Sequence, residues 1–232
     1  MKKLKKYYKN IYSKKQLQAD LGRKNQLKFL FTDYICDKKI LDIGCGPGVD
    51  ILFLLQNNGV HGIDISDNAL DIAKKQGFKY TYKLDISEID RLPFPDNFRN
   101  VVLAIDILEH LFSPKDLLLE INRVLKPDGI AIISVPNHFY WNMRIRILKG
   151  KGIILPFHKS NEWDYFHIRF FTLQSFEKLI KQTRFTIQER FYEKFINCPR
   201  GLPHFIDKYF ARRFPNLFSM HFIVKVTRKD KL

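Results

Sequence analysis

Residues 40–48 read ILDIGCGPG, with Gly44, Gly46 and Gly48 crowded together directly behind an apolar run. The run Lys39–Ile43 has the composition of a short buried strand, and VDILFLLQNN (49–58) that of a helix. Glycines between a strand and a helix let the backbone turn tightly and let a ligand approach it more closely than any Cβ would allow. This stretch therefore demands a strand–loop–helix unit built around a bound molecule. The dinucleotide fingerprint places its third glycine later, and a pyrophosphate prefers helix N–H donors with no carboxylate nearby. Here Asp42 precedes the loop, Asp50 follows it, and Pro47 has no N–H to offer. The chemistry points away from phosphate and toward a ligand that carries positive charge.

The chain continues the same alternation. Strand-like runs VHGIDI (60–65), YTYKLDI (80–86), NVVLAID (100–106) and GIAIISVP (129–136) are separated by helix-like SDNALDIAKKQ (66–76) and SPKDLLLEINRVLK (113–126). Ser66 and Ser113 stand where N-caps belong, and Gly59, Gly77 and Pro127 where helices stop. Near-continuous apolar strands alternating with helices predict an α/β, doubly wound, mostly parallel sheet with helices on both faces. After Pro136 the rhythm breaks into an aromatic and basic connection, a helix (LQSFEKLIKQ, 173–182), a strand (FTIQERFYEKF, 185–195), a second insertion and a closing strand (HFIVKVTR, 221–228). The last two strands predict an antiparallel edge, for about seven strands in all. Residues 1–39 are expected to be a basic helical extension, 40–137 the ligand-binding core, and 138–232 the rest of the same domain, with lid insertions at about 138–170 and 197–219.

Charge follows these divisions. Residues 1–39 hold 12 Lys/Arg against 3 Asp/Glu, 40–137 hold 9 against 14, and 138–232 hold 19 against 7, for a formal net charge of +16. An acidic core between basic flanks fits a cationic ligand in the core and an anionic partner on the flanks. The absence of an 18-residue apolar run argues against a spanning helix, and three scattered cysteines argue against a disulfide framework or zinc site. With no secretory pattern at the lysine-rich start, a cytoplasmic location is expected.

Five ordered stretches carry a resemblance to a known family: LDIGCGPG (41–48), GIDIS (62–66), LDI (84–86), LPFPDNFRNVVLAIDILEHL (92–111) and RVLKPDGIAIISVPN (123–137). Together they resemble the class I S-adenosylmethionine-dependent methyltransferases of small-molecule and glycan pathways. The resemblance implies a Rossmann-like fold, methyl transfer and S-adenosyl-L-methionine as cofactor. It also implies roles for particular residues. Gly44, Gly46 and Gly48 pass along the methionine and ribose, Asp42 favours the ammonium, and Asp64, beside Ile65, accepts the ribose hydroxyls. Asp85 suits the adenine amino group with Ile86 beside the ring, and the backbone from Ala104 through Ile105 to Asp106 offers carbonyls to the ammonium.

The methyl acceptor is approached by exclusion. The position after the fourth strand reads Ala-Ile-Asp-Ile rather than the Asn/Asp-Pro-Pro-Tyr/Phe of exocyclic-amine methylation, and neither Cys36 nor Cys198 sits as a nucleophile of pyrimidine methylation does. A hydroxyl, carboxyl or small amine remains, and for a hydroxyl a base active near neutral pH helps. His110, His138 and His167 are the candidate catalytic residues. No metal is expected; the alternative is a divalent ion on Asp106, Glu109 and His110, as in some quinone-type O-methyltransferases. Aromatic residues interleave with basic ones in both insertions, which suits a lid over an anionic acceptor and equally an interfacial segment on an anionic membrane. Arg144, Arg146 and Arg169 are the candidate acceptor-binding residues, because guanidinium forks grip carboxylate and phosphate. The competing reading is an RNA-modifying or RNA-binding protein that uses its basic flanks; no recognisable RNA-binding module accompanies them, so nucleic acid is the less favoured partner.

Overall fold

The computed structural model describes residues 35–152, 167–194 and 204–229, together with Leu27 and Phe31, with backbone alone at 193–194 and 204–208. The expected helical extension over 1–39 lies almost wholly outside the described residues, as do 153–166 and 195–203 of the two expected insertions.

The strands are β1 (Lys39–Ile43), β2 (Gly59–Asp64), β3 (Tyr80–Lys83), β4 (Arg99–Ala104), β5 (Leu125–Pro136), β6 (Phe185–Lys194) and β7 (Ser219–Arg228). They form one seven-stranded sheet in the order β3-β2-β1-β4-β5-β7-β6. The first five run parallel, and β7 pairs antiparallel with both β5 and β6. This is the predicted doubly wound sheet with an antiparallel edge, and the apolar strands explain it. Ile40, Leu41 and Ile43 of β1 and Val102, Leu103 and Ala104 of β4 are each fully buried, because both sheet faces are covered. One core cluster runs from Leu41, Ile63 and Val102 to Phe176 and Phe222; the opposite face gathers Ile40, Val60, Val101 and Leu103 with Phe78.

The helices are α1 (Leu52–Leu55), α2 (Asp67–Gln76), α3 (Pro114–Val124), α4 (Trp141–Leu148), α5 (Leu173–Gln182), α6 (His204–Arg213) and α7 (Pro215–Phe218). Ser66 caps α2 as expected, its hydroxyl accepting from the Ala69 N–H, and Gly77 closes that helix in the left-handed conformation. Ser113 makes no such side-chain bond; Pro114 alone pre-sets the first turn of α3.

Several boundaries differ from the sequence reading by a residue or two, and three differences have a visible cause. The helix expected over 49–58 is a 3₁₀ turn (Val49–Ile51) followed by one α-turn, because the Asn58 amide turns back onto the carbonyls of Leu54 and Ile35 and ends it. β3 stops at Lys83, since Asp85 folds into a turn that accepts from the Ser87 N–H and hydroxyl. β5 starts at Leu125 rather than Gly129, because Leu125 already pairs with Arg99 across an irregularity in the β4–β5 ladder.

Strand order reverses between β1 and β4, so the two chain directions part at their carboxyl ends and leave a crevice there. Because β7 is antiparallel, its first residues share that edge: His221 pairs with Pro136 at the end of β5. Everything described next lies along this edge.

Candidate active site

At the β1 end the glycine loop is pinned to β2. The Ile63 carbonyl accepts from both Gly44 and Cys45, at 2.8 and 2.9 Å. Asp64 then closes the loop: its Oδ2 accepts from the Gly46 N–H at 2.8 Å and its Oδ1 from the Ser66 N–H at 2.8 Å. The glycines serve different purposes. All three have positive φ, but a Cβ on Gly48 would sit 2.2 Å from the Phe78 ring, and one on Gly44 3.0 Å from Ile107. Gly48 is thus required by packing as well as by its turn. The same logic reaches Gly62, where a Cβ would lie 2.7 Å from the Cys45 sulfur and 2.9 Å from the Phe78 ring, so the glycine there makes room for both side chains.

Three carboxylates converge on this loop. Asp42, 5% exposed, has its pKa pushed well up, first by burial and then by Asp50 and Asp64. Burial also raises Asp64, against the N–H groups of Ser66, Gly46 and Ile65 that favour its charged form. Burial and the same acids push the Cys45 thiol up, so it is an inert packing residue. Neither Asp42 nor Asp64 forms an ion pair among the described residues. Beyond them, Ile65, Ile86 and Ile105 are each half-buried just past the ends of β2, β3 and β4, and Asp85 is half-buried beside Ile86. The arrangement is an acidic cradle with apolar walls, suited to a cation joined to a flat, partly apolar body.

At the β4–β5–β7 end the site is built from histidines. A 3₁₀ turn (Leu108–His110) follows β4, and the Glu109 carbonyl accepts from the N–H groups of Ile168 and Arg169 at 2.9 and 3.1 Å. That docking carries His167 back to the turn. His110 Nε2 stands 3.9 Å and His167 Nε2 4.0 Å from Glu109 Oε1, with Glu109 itself 1% exposed. The His110 and His167 rings meet edge to face at 4.6 Å between centroids. His138, fully buried just beyond β5, has its Nε2 2.7 Å from His167 Nδ1. Burial, then the nearby His221, lowers the His138 pKa to about 4, the Pro136 carbonyl and Asp106 only partly opposing them. The structure therefore brings together all three histidines read from the sequence.

Potential ligand atoms of Glu109, His110 and His167 lie within 4.8 Å of one another. Asp106 is not in that group. It has a positive φ of 50°, its N–H donates to Ser134 Oγ, its Oδ1 accepts from the same hydroxyl at 2.7 Å, and its Oδ2 lies 3.3 Å from His221 Nε2. The Asp106–Glu109–His110 spacing on one turn is thus split in space, because the left-handed residue at 106 turns its carboxylate toward β5 and β7.

Two residues escaped the sequence reading. His221 joins the cluster only through antiparallel pairing of β7, which no local pattern announces. Asn137, fully buried, receives the N–H of Phe139 and donates to the carbonyls of Asn216 and Ser219, binding the start of the insertion to α7 and β7. The Val-Pro-Asn ending of β5 was the available signal. The candidate acceptor arginines are spread out. Arg144 and Arg146 lie on α4, where Arg144 Nε donates to the Phe139 carbonyl at 2.6 Å. Arg169 donates to the carbonyls of Leu111 and Phe112, beside the Glu109 turn. Arg146 is half-buried, and its Nε makes no hydrogen bond among the described residues.

Comparison with known proteins agrees with this geometry. A family described as a methyltransferase domain matches residues 41–133. An uncharacterised protein of Methanocaldococcus jannaschii is 31% identical over 226 residues, covering 91% of this chain and 84% of that one. The ubiquinone biosynthesis O-methyltransferase of Rickettsia bellii is 30% identical over 161 residues, covering 67% of this chain; the match spans 64% of that enzyme's own length. Among solved structures, a SAM-dependent methyltransferase of Aquifex aeolicus shares the fold, with TM-score 0.60, 15% identity and coverage of 97% and 98% of the two chains.

Proposed function

We propose that this class I S-adenosylmethionine-dependent methyltransferase moves the methyl group onto an oxygen of an anionic small, glycan-linked or lipid-linked metabolite. The acidic cradle fits the cofactor on its own chemistry: the buried Asp42 and Asp64, which form no ion pair among the described residues, face a loop that Asp64 already orders. When bound, S-adenosylmethionine supplies an electrophilic methyl on a sulfonium.

The residues divide the remaining work. Asp42 holds the ammonium, together with the Ile105 backbone at the end of β4. Asp64 keeps one carboxylate edge on Gly46 and Ser66 and offers its remaining lone pairs to the ribose hydroxyls. Asp85 and the Ile86 backbone border the adenine, and Ile65 and Ile86 cover its faces. Gly44, Gly46 and Gly48 shape the passage between. Holding nucleophile and methyl in line supplies much of the acceleration in such a displacement, since effective molarities from good alignment are large.

The single observation that carries oxygen as the acceptor is the histidine cluster around Glu109. His110 is the most open of the three, with 21% of its side chain exposed, and takes the hydroxyl proton as the oxygen attacks. The Glu109 carboxylate at 3.9 Å stabilises the imidazolium that results. A 2.7 Å hydrogen bond joins His138 Nε2 to His167 Nδ1 and fixes the His167 ring against the same carboxylate. Because His138 stays neutral well below neutral pH, it acts as a fixed hydrogen-bond partner, not a proton reservoir. Arg146, with Arg144 and Arg169 at the flanks, attracts the anionic part of the acceptor.

A screen with methyl-labelled cofactor against fractionated metabolite and lipid extracts tests this directly. Label appearing in an acidic, oxygen-methylated product supports the reading. Transfer confined to nitrogen or carbon, or to RNA, overturns it.

A further inference from the structure

No helix among the described residues is long and apolar enough to cross a membrane, yet one face carries apolar groups that a water-facing surface ordinarily avoids. On α4, Ile145 and Ile147 are 39% and 42% exposed, and Leu148 at its end is 86% exposed. On α6 and just beyond it, Tyr209, Phe210 and Phe214 are 62%, 38% and 44% exposed. The two groups are neighbours, because α7 packs against both α4 and α6, and Asn137 ties α7 to the start of the α4 segment. Phe210 also touches Phe214 and Phe218, so the aromatic part is continuous.

Charge on this face is predominantly positive, the one carboxylate in the sequences of α4, α6 and α7 being Asp207 in the first half of α6. Residues 139–152 contain Arg144, Arg146, Lys149 and Lys151, residues 209–218 contain Arg212 and Arg213, and neither stretch contains a carboxylate. Long basic side chains interleaved with exposed aliphatic and aromatic groups are the composition of an interfacial segment, whose apolar groups enter the acyl boundary while cations meet anionic headgroups. An RNA partner would use the arginines and aromatic rings but has nothing to pair with Leu148, Ile147 and Ile145. We infer that the α4–α6–α7 face docks on an anionic phospholipid bilayer. The helix that carries the first part of the patch, α4, begins three residues after His138, at the same sheet edge as the histidine cluster, so a docked protein receives an acceptor that partitions into the bilayer. This consequence for the acceptor rests on the methyl-transfer reading; the docking does not.

The test is co-sedimentation of the purified protein with vesicles of phosphatidylglycerol mixed into phosphatidylcholine, against pure phosphatidylcholine. The expected result is binding to the anionic vesicles alone, weakened by salt, and weakened roughly fivefold for each cation removed in Lys149→Gln, Lys151→Gln, Arg212→Gln and Arg213→Gln. Leu148→Glu should weaken it further, and with that side chain already exposed the fold should be untouched; thermal melting and adenosylmethionine calorimetry verify this for each variant. Absence of vesicle binding, or binding that none of these substitutions alters in a protein that still melts normally and binds cofactor, overturns the proposal. So does tighter binding to single-stranded RNA than to anionic vesicles with the same residues responsible. Loss of cofactor binding in the unaltered protein would instead overturn the methyl-transfer reading and leave the docking result standing.

Discussion

Replacing Asp64 by Asn separates two jobs that one carboxylate performs. In the protein its two oxygens accept from the N–H groups of Gly46 and Ser66, both at 2.8 Å, in a site 7% exposed. An amide keeps the size but has one oxygen, so one of those N–H groups faces an NH₂ donor. Losing one charge-assisted bond costs roughly 1.5–3 kcal/mol, partly offset by removing the repulsion between Asp64 and Asp42. The melting temperature should therefore fall modestly. Cofactor affinity should fall more, by roughly ten- to hundredfold, because the ribose hydroxyls lose a charged acceptor and the loop loses its latch. Calorimetry with S-adenosylhomocysteine and its 2′-deoxy analogue distinguishes direct contact from loop disorder. In the unaltered protein the missing hydroxyl should weaken binding about tenfold; in Asp64→Asn the two ligands should bind nearly alike. Equal sensitivity to the missing hydroxyl in both proteins would refute the ribose contact.

Asp42→Asn should raise the melting temperature while weakening cofactor binding, since it removes a buried charge that Asp50 and Asp64 oppose; a fall in both would show that the carboxylate is held by favourable partners. Binding a cationic cofactor beside Asp42 should lower the pKa that burial raises, and so release protons, read as a dependence of the calorimetric enthalpy on buffer ionisation. Burial lowers the His138 pKa from the ordinary imidazole value of 6.5 to about 4 in the folded protein, so the unfolded chain takes its proton first. Stability should be complete above pH 6.5 and decline progressively toward pH 4, by up to about 3 kcal/mol from this residue, and His138→Gln should flatten that part of the pH–stability curve. Gly48→Ala should destabilise by about 3 kcal/mol or more, since its Cβ would lie 2.2 Å from Phe78 in a backbone with φ of 73°; denaturant unfolding that shows no change would mean the ring yields freely.

The core was legible because its determinants are local. Strand and helix alternate with clear periods, the glycines fall on positive φ, and Asp42 and Asp64 end their strands beside the loop as their positions imply. The partners of the histidines, and His221 itself, depend on pairing between distant segments. His167 reaches Glu109 only through backbone bonds from Ile168 and Arg169, and His221 arrives through the β5–β7 ladder. The spacing of Asp106, Glu109 and His110 looked like one ligand set, but a left-handed residue at 106 separates its carboxylate from the other two. Helix ends moved for a similar reason: Asn58 ends α1 through its side chain, a contact that apolar periodicity does not encode.

The division between an acidic half that holds the cofactor and a histidine half that serves the acceptor is tested most directly by a crystal structure with S-adenosylhomocysteine. The expected result places the ribose against Asp64, the amine near Asp42, and the sulfur facing the crevice toward His110 and His167. A homocysteine sulfur directed away from the histidines, with the Glu109 turn sealed from it, would contradict the assignment of that cluster to the transfer.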